Sequence, residues 1–166
     1  MVYAGGISEE NNIELMLTSF QFSSSNLFLV IVGSAGKYKN RFLNHSQIIW
    51  QEERLNDSEL HGLLKQAVCS ICYYADFEDL EYVGKSSGKI MRSLLVGTPV
   101  ITTNFDSLKF IEDDMMGLLV TTPVEFVNAI DTIETKEVFF KENIAKNIFK
   151  YTFEKYWDNF SNEVLS

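Results

Sequence analysis

Lys85-Ser86-Ser87-Gly88-Lys89-Ile90-Met91-Arg92-Ser93-Leu94-Leu95-Val96-Gly97-Thr98-Pro99-Val100-Ile101 contains a turn, a helix and a strand in succession. Residues 85–88 are small and polar, the composition of a turn. Residues 89–96 place Ile90, Leu94 and Leu95 at helical spacing, and Gly97 ends the helix. Residues 98–102 form a β-branched run that predicts a buried parallel strand. A polar glycine turn opening a helix leaves backbone N–H groups facing outward, and these favour an anion. Lysine in a first helical turn opposes the macrodipole at a cost of about 0.3–1 kcal/mol. Lys85 and Lys89 therefore fit best with a phosphate or carboxylate beside them. The expectation is a turn that holds the diphosphate of a nucleotide.

The flanking sequence repeats the strand-then-helix pattern. Residues 2–4 predict a short strand, Gly5-Gly6 a turn, and Ser8 the cap of a helix over 9–22 with Ile13, Met16, Leu17 and Phe20 on its apolar face. Strands follow at 27–32, 47–50, 68–74 and 118–120. Helices follow at 37–43, after Asn56 or Asp57, at 107–112, and at 123–133 with Pro123 in its first turn. Residues 136–153 and 154–165 predict two closing helices, the last carrying Tyr156, Trp157 and Phe160. About six alternations without a hairpin signal predict an α/β fold: a doubly wound, Rossmann-like parallel six-stranded sheet with helices on both faces. Ligands bind such sheets beyond the carboxyl ends of the strands. The loops after Ala4, Val32, Trp50, Tyr74 and Thr102 are expected at that edge.

The 166 residues suit one domain, and 46% hydrophobic with 22% charged residues is a globular composition. A net charge of -9 argues against a nucleic-acid binder, which needs a basic face. It also sets the Lys85, Lys89 and Arg92 cluster against the global sign. No apolar run approaches the roughly 18–20 residues of a transmembrane segment. The opening residues read as a strand and turn, as though cut from a longer protein, and not as a signal peptide. Cys69 and Cys72 give no disulfide framework, and a reduced, cytoplasmic compartment is the simplest reading. Their spacing falls inside a predicted strand, where the two side chains face opposite ways, so core packing is expected in place of a metal. His45 and His61 are isolated. Residues 84–89 fall one short of P-loop spacing, and Ile90 stands where a Mg²⁺-binding Ser or Thr would be needed. Asp76, Glu78, Asp79 and Glu81 read as a solvated acidic loop or as a carboxylate cluster.

The order of motifs resembles the C-terminal, donor-binding domain of GT-B retaining glycosyltransferases of the group 1, or family 4, type. The resemblance rests on Val2-Tyr3-Ala4-Gly5-Gly6-Ile7-Ser8-Glu9-Glu10-Asn11-Asn12-Ile13-Glu14-Leu15, on Leu29-Val30-Ile31-Val32-Gly33-Ser34, and on Gly97-Thr98-Pro99-Val100-Ile101-Thr102-Thr103 followed by residues 111–120. It implies a nucleotide-sugar donor, with Gly5 and Gly6 close to its diphosphate. It further implies backbone and hydroxyl contacts from Ser86, Ser87, Gly88, Lys89 and Ile90, and a base bordered by the loop around Gln51 and Arg54. No cofactor or metal is expected, and the acceptor would be held by an N-terminal domain absent from this chain.

Four positions depart from the family pattern. Gly6 and Asn11 stand where the family has an Arg and a Lys on the diphosphate. Gly84 and Arg92 stand where it has two Glu, the second of which grips the ribose hydroxyls. Lys85, Lys89 and Arg92 are the candidates for replacing the lost charge. Glu81, three residues before the vacant position at Gly84, is the candidate donor-sugar contact. The readings that follow are a sugar transferase half, with surface polysaccharide synthesis as the commonest bacterial setting; a catalytically inactive GT-B-like binding subunit; and a sugar-nucleotide epimerase.

Overall fold

The computed structural model describes residues 1–23, 25–34, 36–75, 82–152 and 154–155. Its strands are β1 (Val2–Ala4), β2 (Leu29–Val32), β3 (Ile48–Gln51), β4 (Ser70–Cys72), β5 (Val100–Thr103) and β6 (Gly117–Val120). All pair in parallel, in the order β3-β2-β1-β4-β5-β6. The helices are α1 (Ile13–Phe22), α2 (Lys39–Leu43), α3 (Asp57–Gln66), α4 (Gly88–Leu95), α5 (Phe110–Asp113), α6 (Pro123–Thr135) and α7 (Glu137–Asn147). The doubly wound sheet expected from the alternation is the fold observed.

Period-2 alternation along the strands feeds two apolar layers. Tyr3, Leu29, Ile31, Ile71 and Ile101 point to one layer, filled by α1, α2 and α6 through residues such as Met16, Phe42 and Phe126. Val2 points to the other face, against Leu64 and Ala67 of the α3 region. Cys72 and Val100 meet Ile90 and Leu94 of α4 and Ile111 of α5 on that same face. Cys69 and Cys72 are buried free thiols in opposite layers, as their spacing in a strand requires. Burial pushes the Cys69 thiol up to about 12.

The direction in which successive strands are added to the sheet reverses between β1 and β4, which pair in parallel at Val2 and Ser70. Open α/β sheets have their crevice outside the strand ends at such a switch point.

Element boundaries differ from the sequence expectation for local reasons. The helix over 9–22 begins as a 3-10 turn, Glu9–Asn11, and is broken by Asn12 at φ 46° before α1 starts. Asparagine adopts this left-handed conformation more readily than most residues. Ser8 makes no capping bond; its Oγ accepts from the Asn11 side-chain amide at 2.9 Å. Thr98 precedes its strand, because its Oγ1 donates to the Leu64 carbonyl at 2.7 Å. The helix expected over 136–153 is α7 followed by a 3-10 turn, Ile148–Tyr151. The acidic loop 76–81 and residues 156–165 of the closing helix lie outside the described residues. No helix among the described residues is long and apolar enough to cross a membrane.

Candidate functional site

A cavity of about 770 Å³ opens at the switch point, within the size range of small-molecule sites. Its walls are Gly5 and Gly6 after β1, Gly33 and Ser34 after β2, and Glu52, Arg54 and Leu55 after β3. Asp57 and Leu60 of α3 face Ser86, Ser87, Gly88, Lys89, Arg92 and Ser93 at the start of α4. The loop after β5 is not part of this lining.

Ser87 builds the α4 N-terminus. Its Oγ accepts from the Ile90 N–H at 3.2 Å, the side-chain cap that a serine at this position supplies. The Tyr74 hydroxyl lies 2.5 Å from the same oxygen. Tyr74 is itself pinned to β5: its N–H donates to Thr103 Oγ1 at 2.8 Å, and that hydroxyl donates to the Tyr74 carbonyl at 2.6 Å. Burial raises the Tyr74 phenol to about 12, so it stays protonated. The N–H groups of Gly88 and Lys89, the first two of α4, have no acceptor among the described residues. They are the orphan donors that a helix start offers an anion.

Lys89 brings the charge. Its half-buried ammonium donates to Asn11 Oδ1 and lies 4.4 Å from the Tyr74 ring centroid and 5.6 Å from that of Tyr3. Among the described residues no carboxylate pairs with it. Burial lowers its pKa from the ordinary lysine value. Asn11 is oriented for this contact because its amide nitrogen donates to Ser8. The Tyr3 hydroxyl donates to the Gly6 carbonyl and fixes the glycine turn beside Lys89.

Two glycines allow close backbone approach. A Cβ on Gly33 would lie 2.5 Å from the Gly5 carbonyl oxygen, and Gly33 has φ +144°. A Cβ on Gly5 would lie 3.0 Å from Cδ of Lys89. Trp50 closes this corner, its indole N–H donating to the Gly33 carbonyl at 2.9 Å.

The structure thus gathers Gly5, Gly6, Ser86, Ser87, Gly88, Lys89, Arg54 and Arg92 around one cleft. It places three expected residues differently. Lys85 is not in the lining; the 3-10 turn Gly84–Ser86 carries its ammonium to 4.9 Å from the Tyr151 ring centroid and 5.7 Å from that of Phe110. The Ile90 N–H is taken by Ser87, and its side chain is fully buried in the core. Gln51 is absent from the lining and belongs to β3, its carbonyl accepting from Gly33 N–H at 2.9 Å. Glu81 lies outside the described residues. Arg92 faces Asp57, Nη2 to Oδ1 3.5 Å. Tyr3 and Tyr74 carried no sequence signal for the site, because each reads as a strand aromatic. Asp57 carried only that of a helix cap.

A cation-bearing cleft at the carboxyl rim of a doubly wound parallel sheet defines a Rossmann-like domain of the kind that forms the C-terminal half of GT-B enzymes. The chain belongs to the family of glycosyl transferases group 1, whose model matches residues 1–135. Solved structures share its fold at low identity. The HepE protein of Anabaena, solved with UDP, superposes with a TM-score of 0.71 at 14% identity, over 90% of this chain and 44% of its own. The apo lipopolysaccharide outer core galactosyltransferase WaaB gives 0.69 at 17%, over 99% and 48%. The catalytic domain of cholesterol-α-glucosyltransferase from Helicobacter pylori gives 0.66 at 16%, over 92% and 99%. The chain therefore spans less than half the length of WaaB and HepE. No curated protein matches it in sequence.

Proposed function

We propose that this chain is the donor-binding half of a glycosyltransferase that moves a sugar from a nucleotide-sugar to an acceptor, in cytoplasmic assembly of a surface polysaccharide. The observation that carries the reading is Lys89: a half-buried ammonium with neutral neighbours, beside two unpaired helix N–H groups and across from a glycine turn. A half-buried cation without a carboxylate is costly unless an anion joins it. A diphosphate fits, because its oxygens accept from Lys89 Nζ and from the Gly88 and Lys89 N–H groups together. When the bond between the sugar's anomeric carbon and the diphosphate oxygen breaks, negative charge collects on that oxygen. The same donors stabilise it as the leaving group departs.

The acceptor belongs to an N-terminal domain, consistent with the doubled length of WaaB and HepE. This chain alone then binds nucleotide and turns nothing over. Titration calorimetry with UDP and GDP tests the reading. Saturable binding that falls at least tenfold in Lys89→Met supports it; no binding by the wild-type chain overturns it.

Neutral Gly6 and Asn11 favour one second reading, a subunit that binds nucleotide without transferring sugar. The protein with its N-terminal domain separates the two: release of free nucleotide diphosphate from a bound donor marks the transferase.

A further inference from the structure

Resting on the donor-nucleotide reading above, we propose that Asp57 is the residue by which this cleft recognises the donor's ribose, its carboxylate accepting the vicinal hydroxyls. Two carboxylates among the described residues line the cleft, Glu52 and Asp57. Glu52 faces Lys39 at 3.9 Å, beyond the end of β3. Asp57 stands at the first position of α3, yet its side chain is not used in capping: Asn56 Oδ1 accepts from Glu59 N–H at 3.0 Å, and Glu59 Oε2 accepts from Asn56 N–H at 2.9 Å. The one described partner of Asp57 is Arg92, through a single 3.5 Å contact to Oδ1. The other oxygen, Oδ2, is left for a ligand.

The position suits a ribose. Arg92 follows Lys89 by three residues, which puts it on the same face of α4 and about 5 Å further along the axis. One ester oxygen and one methylene separate a nucleotide's diphosphate from its sugar ring. A diphosphate at the Lys89 end of α4 therefore carries its ribose toward the pair Arg92 and Asp57. Ribose hydroxyls need an acceptor, which a guanidinium cannot supply and a carboxylate can. Arg92 keeps that carboxylate turned to the cleft from the opposite wall.

The experiment compares UDP with 2′-deoxy-UDP, and GDP with 2′-deoxy-GDP, by calorimetry on the 166-residue chain. The wild type is expected to prefer the ribonucleotide by about tenfold, the value of one hydrogen bond to a charged acceptor. In Asp57→Asn that ratio collapses toward one, the ribonucleotide losing more affinity than the 2′-deoxynucleotide. In Lys89→Met both affinities fall together and the ratio persists. Saturable binding without a ribose preference, or a preference that survives in Asp57→Asn, overturns the assignment and leaves the donor-binding reading standing. A wild-type chain that binds none of the four nucleotides overturns both.

Discussion

The ammonium of Lys89 donates a hydrogen bond to the amide oxygen of Asn11, a residue 78 positions earlier in the chain. This contact joins the first helical segment to the start of α4 across the mouth of the cleft. Asn11 is the place where the family resemblance implies a lysine, so the amine reaches one location from two different helices. The cation has moved to the other side of its own hydrogen bond.

Exchanging the two residues, Asn11→Lys with Lys89→Asn, is therefore expected to keep nucleotide diphosphate affinity within about threefold of wild type. Lys89→Asn alone is expected to lose at least tenfold, the scale of one charge-assisted hydrogen bond. Calorimetric titration of the three proteins with UDP and GDP checks both outcomes.

Lys89 also predicts a pH dependence. Burial lowers its pKa in the folded chain below the ordinary 10.5. The unfolded chain then binds more protons between the lowered value and 10.5, so the Lys89 contribution to stability rises with pH across that window. Diphosphate binding runs the opposite way, because the anion needs the ammonium, and it fades as pH climbs through the lowered value. Tm and Kd measured from pH 7 to 10 are expected to move accordingly, and Lys89→Met is expected to flatten both slopes.

Tyr74→Phe removes the hydroxyl 2.5 Å from Ser87 Oγ and leaves the ring under Lys89. Ser87 keeps its bond from Ile90 N–H. The expected cost is about 1 kcal/mol of stability, with a small loss of nucleotide affinity as the α4 start loosens. Urea unfolding and calorimetry on the same preparation check the pair of effects.

Two glycines are expected to respond with opposite signs. Gly33→Ala puts a methyl 2.5 Å from the Gly5 carbonyl at φ +144°. A cost of about 2–3 kcal/mol follows, or a Tm lowered by roughly 5–10 °C. Gly62 lies inside α3 with nothing within 4 Å of a built Cβ. Gly62→Ala is expected to stabilise by about 0.5–1 kcal/mol. Differential scanning of both variants against wild type decides it.

The sheet was legible because uninterrupted apolar runs such as 29–32 and 100–103 separate helices with clear faces. Lys89 was legible as a candidate residue of the cleft because a lysine at a helix start conflicts with the macrodipole. Its neighbours were not. Asn11 reaches it through a fold that brings β1 beside β4, and no local pattern encodes that adjacency. Lys85 shares the local signal of Lys89, yet one 3-10 turn carries it to Tyr151, a contact set by where the last described segment packs. Ile90 was expected to offer its N–H outward, but Ser87 chose the cap, and only geometry tells which of two adjacent serines does so. The break at Asn12 did leave a trace, since asparagine tolerates positive φ.

The bond from the Trp50 indole to the Gly33 carbonyl has an experimental use. The indole touches a backbone segment that forms the cleft wall, while its ring edge meets Phe42 at 6.2 Å between centroids. Its emission is therefore expected to shift when a nucleotide enters the cleft, and in a Trp157→Phe chain a fluorescence titration would read that shift with no label required.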